Sequence, residues 1–438
     1  MKLPGLLTQV SPVSPALIGK LALAGGGVLA GHWLLGDVLR LPGGGLSLLA
    51  LGAAAWWLGR GSAQPRFQPP ETLDGWIQRC REVLKQFEAL EDSSSGDARG
   101  REAALQSLLD RSAPQTLAVV SVPGTEIFPV ETWQLALSGS APLKLSMAHP
   151  LTAGDGARCW PEALRQQDVV VHVLHAPLLA ADLLWLHQVP EDQPAWLVVD
   201  GLGCPLQEDL LSQLPQRWHE RLLFSASDVE LRVTLQPLRL SLGSAESTIA
   251  MTRRRLLADL HQRWQADLEQ LRRQRFQTLQ QRTQWIVATS VLASPVPSLD
   301  LLAIVVANGL MIREMADLWG CRLQLDVLKE AAAQLARAAL AQGVVEWSSQ
   351  MLLGLAKLDG GSWLVAGAMQ ALSAAYLTRV VGRSMADWLA INTGVAEPDL
   401  KLLKQQAPLL VARAAEEERL DWPGFLQQSK HWLLHATS

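Results

Sequence analysis

The chain opens on two apolar runs that carry almost no charge, one from roughly Leu21 to Leu39 and one from roughly Gly45 to Leu58. Arg40-Leu41-Pro42-Gly43-Gly44 separates them. Proline and paired glycines stop a helix and turn the chain, so the pattern predicts a helical hairpin over residues 1–60. At ~1.5 Å per residue the first run just crosses a ~30 Å hydrocarbon layer. The second is short and needs a thinned bilayer, or Trp56 and Trp57 at the interface. Gly27 and Gly31 form a G-x-x-x-G pair that lets two helices approach closely. Lys2 and Lys20 precede the pair and Arg60, Arg66, Arg79 and Arg81 follow it, whereas the connection holds only Arg40. That asymmetry predicts a multi-pass membrane protein with the bulk of the chain on the cytoplasmic side. A secretory signal peptide with Lys20 as its basic region, and an interfacial or re-entrant hairpin, are the competing readings.

Residues 61–112 read as a proline-bearing linker and amphipathic helices. Leu73, Trp76, Ile77, Cys80, Val83, Leu84, Phe87 and Leu90 fall on one face at the three- and four-residue spacing of a helix. Over residues 113–245 the period changes. Short apolar strands at Leu117–Val122, Leu143–Met147, Asp168–Leu174, Ala195–Val199 and Arg221–Ser225 alternate with helical segments at Glu131–Leu137 and Leu178–Leu186. Strands this apolar suit a largely parallel sheet covered on both faces. Residues 246–285 then form a long amphipathic helix, expected from Thr248, with eight arginines between Arg253 and Arg282. Interspersed Asp259, Asp267 and Glu269 favour a solvated face over contact with anionic headgroups. Residues 286–394 are apolar and helical. The stretches Leu301–Ile312 and Trp363–Leu377 are as apolar as membrane spans but short, and a tight bundle is expected, with insertion as the alternative. Residues 395–438 predict two more helices, the first closed by Glu416-Glu417-Glu418 and the second entered at Asp421-Trp422-Pro423-Gly424.

Composition agrees with this layout. Hydrophobic residues make up 49% and charged residues 18% of 438, so there is more apolar surface than a soluble domain needs. A net charge of -4 argues against bulk attraction to nucleic acid. Cys80, Cys159, Cys204 and Cys321 are isolated, which points to reduced thiols rather than a zinc site or a disulfide.

The run Pro297-Ser-Leu-Asp300, then Asn308-Gly-Leu-Met311-Ile312-Arg313-Glu314-Met315 and Leu318-Trp319-Gly320, resembles the YcjF-like family (domain of unknown function 697). So does Ala366-Gly-Ala-Met-Gln370-Ala-Leu-Ser-Ala-Ala375-Tyr-Leu-Thr378-Arg379 with Gly382-Arg383. The likeness covers roughly residues 285–392. It implies paired membrane helices and, ahead of the domain, an Era-type GTPase-like domain.

Such a GTPase needs G-x-x-x-x-G-K-[S/T] after its first strand, where backbone N–H groups and the lysine hold phosphate and the hydroxyl holds magnesium. The corresponding stretch here begins at Gly124. Pro129 replaces the second glycine, Val130 the lysine and Glu131 the Ser/Thr. The guanine-specificity element would fall at Asp200-Gly201-Leu202-Gly203 and lacks its asparagine, lysine and aspartate. Ser225-Ala226 alone resembles the final element. The expectation is therefore a degenerate GTPase-like fold without nucleotide or other cofactor, acting as a membrane-bound scaffold for protein partners, possible copies of itself included. A divergent nucleotide hydrolase and a channel or transporter component are the alternatives.

Other candidates carry less. His172 and His175, with Asp168 nearby, point to opposite faces of a strand, which disfavours a joint metal site. Glu126 and Glu131 read as surface carboxylates rather than an acid/base pair. Asp200 sits at a strand C-terminus, where α/β proteins place ligands, and is the best single candidate for a residual site. Ser244, Ser247 and Thr248 read as helix caps.

Overall fold

The computed structural model describes residues 68–91, 96–125, 127–139, 141–152, 159–175, 177–200, 205–225, 228–293, 297–321, 324–358, 366–393 and 400–436. The expected hairpin over residues 1–60 and Glu126 lie outside them.

Two helices come first, α1 (Leu73–Leu90) and α2 (Ala98–Leu109), capped at their starts by the side chains of Thr72 and Asp97. The α/β layer follows as β1 (Gln115–Ser121), α3 (Val130–Leu137), β2 (Leu143–Met147), α4 (Glu162–Arg165), β3 (Val169–His175), α5 (Ala180–Gln188), β4 (Ala195–Asp200), α6 (Pro205–Gln213), a 3-10 turn (Gln216–Arg221), β5 (Leu222–Ser225), α7 (Asp228–Thr234) and α8 (Gln236–Leu242). All strand pairs are parallel and the order is β2-β1-β3-β4-β5. This is a doubly wound order, whose direction of winding reverses between β1 and β3. Alternation along the strands feeds two separate cores. Val120, Val170, Leu174, Leu197 and Val199 face one layer of helices, and Leu117, Val119, Val171, Val173 and Val198 face the other.

The remainder is helical: α9 (Ala245–Ala293), α10 (Pro297–Leu318), α11 (Leu325–Ala341), α12 (Val344–Leu358), α13 (Ala366–Ile391), α14 (Leu400–Leu420) and α15 (Trp422–Ala436). The 49 residues of α9 extend about 74 Å. It starts at Ala245 and not at Thr248, so Ser244 holds the cap position while Ser247 and Thr248 lie inside the first turn. There the Thr248 hydroxyl donates back to the Ser244 carbonyl at 3.2 Å. Its first half packs Leu257, Leu260, Trp264 and Leu268 against Trp76, Cys80, Leu84 and Phe87 of α1, the stripe read from the sequence. Its second half packs into the bundle core with Met315, Trp319, Tyr376 and Trp388. Among the described residues no helix is long and apolar enough to cross a membrane.

Candidate functional site

In a doubly wound sheet a ligand is expected outside the carboxyl ends of the strands, at the point where the winding reverses. Here that point is the loop between β1 and α3. Gly124, at φ +91°, lets the chain turn after the strand, and Thr125 N–H donates to the Val122 carbonyl at 3.3 Å. Beyond the turn, Ile127 and Phe128 pack down onto the apolar core. The loop is thus filled from below by hydrocarbon. Helix α3 begins at Val130 with Pro129 before it, and Pro129 supplies no side-chain cap. The N–H groups of Thr132 and Trp133 turn back to the Pro129 carbonyl, at 3.0 and 3.3 Å. Glu131 lies in the first helical turn and is exposed. A carboxylate there complements the positive end of the helix and repels any other anion that approaches it.

Asp200 ends β4, in register with His175 of β3 on one side and Ser225 of β5 on the other. These residues therefore form one row across the carboxyl edge of the sheet, a juxtaposition that the linear sequence hides. Ser225 is buried, and residues 201–204, where a base-recognition element would fall, lie outside the described residues.

His172 is buried in the core and, in register, stands between Val120 and Leu197. Its carboxylate neighbour is not Asp168. That residue precedes β3 at the opposite edge of the sheet, where it accepts from Thr116 N–H at 2.7 Å and from the Thr116 hydroxyl at 3.0 Å, and pairs with Arg111. The group that approaches His172 is Asp182 of α5, fully buried, with Nε2 to Oδ1 at 3.6 Å. Its other oxygen accepts from Leu179 N–H at 3.1 Å and caps the helix. A lone acid in the apolar Leu178–Leu186 segment was the signal in the sequence.

A cleft of about 1000 Å³ lies at the amino edge of the sheet, between α2, α4 and α9, with Arg111, Arg165, Arg263 and Trp160 in its walls. Its cations are all engaged. Arg165 binds Asp192 and Asp259, and Arg263 binds Glu162 at 2.7 Å. Burial works against the Arg165 charge, but hydrogen bonds to Asp259 and Asp192 outweigh it and hold its pKa above the ordinary value. This cleft is a joint between elements, with no unpaired cation to offer a ligand.

The expectation of a solvated face holds for Arg254, Arg263, Arg275 and Arg282 of α9, which are exposed, and fails for two others. Arg255 and Arg272 are buried at 4% and 1% exposure. Arg255 donates to the carbonyls of Arg165, Gln167 and Asp192, and its pKa is pushed down to about 10 by burial and by the charge of Arg165. Arg272 donates to the carbonyls of Leu318 and Trp319 and to Gln86, at 3.1, 3.4 and 2.7 Å. Arg253 reaches the Leu109 carbonyl and Arg275 that of Leu90. Each of these carbonyls lies at the carboxyl end of another helix or just beyond it.

The acidic run falls in the last turn of α14, as expected, but one of its members is internal. Glu418 is fully buried and faces Arg379 at 2.6 Å and Arg383 at 2.7 Å, while Asp421 and Glu417 each take one further donor, from Arg379 and Arg383 respectively. Tails and bundle are joined by this buried cluster, and no periodicity in the sequence announces it.

The fold thus places a doubly wound α/β layer and a helical bundle on one long helix. Residues 255–416 match the family described as Domain of unknown function (DUF697), so the chain carries a domain of that family. The match begins within α9 and runs into α14, wider on both sides than the residue runs quoted from the sequence. No curated protein and no solved structure matches.

Proposed function

We propose that this protein is a membrane-anchored, non-catalytic scaffold, in which a GTPase-like α/β layer without nucleotide chemistry presents a surface to protein partners. The observation that carries this reading is the loop before α3. Where a phosphate would need glycine, lysine and a hydroxyl, the chain has Pro129, Val130 and Glu131, with Ile127 and Phe128 filling the loop onto the core. Replacing a cation by a carboxylate at a helix start reverses the local field that an anion would meet. The doubly wound strand order is compatible with a GTPase ancestry and is shared with other nucleotide- and flavin-binding folds. The apolar runs at residues 21–58 supply the anchor.

Isothermal titration of the full chain in detergent with GTP, GDP and ATP is expected to give no binding. Magnesium-dependent binding in the micromolar range overturns the reading and favours the divergent hydrolase. In that case Asp200→Asn, in the row with His175 and Ser225, should abolish phosphate release. Alkaline extraction of membranes tests the anchor, because the chain should remain in the pellet.

A further inference from the structure

The two edges of the sheet are finished differently. At one edge β5 is covered: Leu222, Leu223 and Ser225 are buried, and the Phe224 carbonyl accepts from the Thr234 hydroxyl at 3.0 Å. At the other edge no described strand lies beyond β2, whose residues are all exposed or half-buried. The Gln115 N–H donates to the Pro142 carbonyl, and the Ala148 N–H donates to the Val119 carbonyl. With Gln115 in register with Leu143, Leu117 with Leu145 and Val119 with Met147, that phase turns the backbone groups of Lys144 and Ser146 inward to β1. The N–H and C=O groups of Leu143, Leu145 and Met147 therefore point outward, a row of donors and acceptors without a partner among the described residues.

The side chains alternate along this row. Leu143 and Leu145 pack on the core beside α3, and Met147, 38% exposed, follows on the same face. Lys144 and Ser146 lie on the other face. An antiparallel copy of β2, laid along the edge with a two-fold axis at Leu145, meets the whole row. Leu145 then faces Leu145 and Leu143 faces Met147, so the outward donors of each strand find the outward acceptors of the other. One face becomes a continuous apolar stripe. On the other, Lys144 stands opposite Ser146 and no like charges meet. Moving the axis to Lys144 leaves Met147 out of the ladder and sets lysine against lysine. Moving it to Ser146 leaves Leu143 out. A parallel copy needs a shift of one residue between the strands, which a two-fold axis does not allow.

We infer that the protein pairs with a second copy of itself through the free edge of β2, antiparallel about Leu145, so that the sheets of the two copies run on as one. Any extended segment satisfies the backbone row. The second copy also matches both faces, with leucine and methionine against the same residues and lysine against serine. The pairing names a surface and a partner for the scaffold proposed above, but it is drawn from strand register, and neither reading stands or falls with the other.

The test compares Ser146→Lys with Ser146→Glu in the full chain in detergent, with dimerisation measured by sedimentation equilibrium. Both variants lose the bond from the Ser146 hydroxyl to the Leu117 carbonyl, 3.3 Å, so their difference reports the charge. At two places in the dimer a lysine at this position would oppose Lys144 and a glutamate would attract it. Lysine should weaken the dimer and glutamate strengthen it, a severalfold difference in dissociation constant between the two. A second measurement is made in membranes, with the four native cysteines replaced. Chains with Lys144→Cys and chains with Ser146→Cys, coexpressed and oxidised, should give severalfold more disulfide-linked dimer together than either gives alone. Opposed residues stand about 4.5 Å apart at Cα, within reach of a disulfide, whereas like positions are diagonal neighbours at about 7–8 Å. A chain that stays monomeric overturns the inference and leaves the edge to an extended segment of another protein. A dimer equally stable with lysine and glutamate, or equal disulfide yields from mixed and single chains, puts the contact elsewhere on the molecule and overturns it too.

Discussion

The α/β layer and the helical bundle bury polar groups by opposite means. In the sheet, β1, β3 and β4 line both cores with valine and leucine, and each backbone group is satisfied sideways by the next strand. Titratable side chains stay at the edges, apart from His172 and Asp182, which stand 3.6 Å apart, beyond hydrogen-bond reach. The helical part has no such lateral supply. Every helix ends in carbonyls without an internal partner, and where those ends are buried a donor must be brought to them. Helix α9 brings four: Arg253 to α2, Arg255 to the carbonyls that close α4, Arg272 to the end of α10 and Arg275 to α1. A long helix that supplies arginine to the carboxyl ends of its neighbours also favours them electrostatically, because those ends carry partial negative charge. The difference shows that arginine richness in a helix need not mark a surface for anions.

The sharpest way to break this comparison is to remove a charge from the bundle. Glu418→Ala leaves Arg379 and Arg383 in a buried site without their shared counter-ion, and breaking one side of a buried pair costs about 3–5 kcal/mol. Denaturant unfolding followed by tryptophan fluorescence measures it. A loss below about 1 kcal/mol would mean that water reaches the cluster and that the bundle has no special dependence on buried charge.

The sheet should answer only to lost volume. Leu197, fully buried at the centre of β4, makes a cavity when cut to alanine, at a cost of about 2–5 kcal/mol. Arg272→Met sits between the two cases. It strands the carbonyls of Leu318 and Trp319 and the side chain of Gln86, and it relieves the burial of a guanidinium whose pKa is lowered by that burial. The net loss should be about 2 kcal/mol, since each unpaired buried group costs roughly 1–3 kcal/mol before that relief. Arg272→Lys keeps a charge but not the fork, and should recover only part of it.

How much of this was legible followed the range of the forces involved. Strand and helix positions were readable because burial writes a period of two or 3.6 into neighbouring residues, and β2 falls at Leu143–Met147 as expected. A phosphate-binding loop is contiguous in sequence, so the stretch from Gly124 to Glu131 could be compared with one directly. The partners of charged groups were not readable. Asp182 lies ten residues from His172, Glu418 lies 35 from Arg383, and Arg272 is 186 from Gln86, distances at which no periodic signal survives. Hence the buried members, Glu418 of the acidic run and Arg255 and Arg272 of α9, could not be told from their exposed neighbours. The row His175, Asp200 and Ser225 was hidden for the same reason, since it exists only through strand register.

The smallest effect expected concerns the contact between α9 and α1, where His261 meets the Trp76 ring edge-on at 5.6 Å beside a cleft of about 530 Å³. Burial lowers its pKa, the Arg79 charge adds to the shift, and Glu82 opposes it. A base depressed in the folded state binds its proton first in the unfolded chain, so stability is full above the ordinary histidine value of about 6.5 and declines as pH falls through it toward the lower folded value. His261→Gln should remove that part of the decline, so that the melting temperature of the variant changes less than that of the parent between pH about 7.5 and about 5.5. If parent and variant fall in parallel, solvent reaches the ring, and the seam between α1 and α9 is wetter than the dry packing of Cys80 and Leu257 beside it.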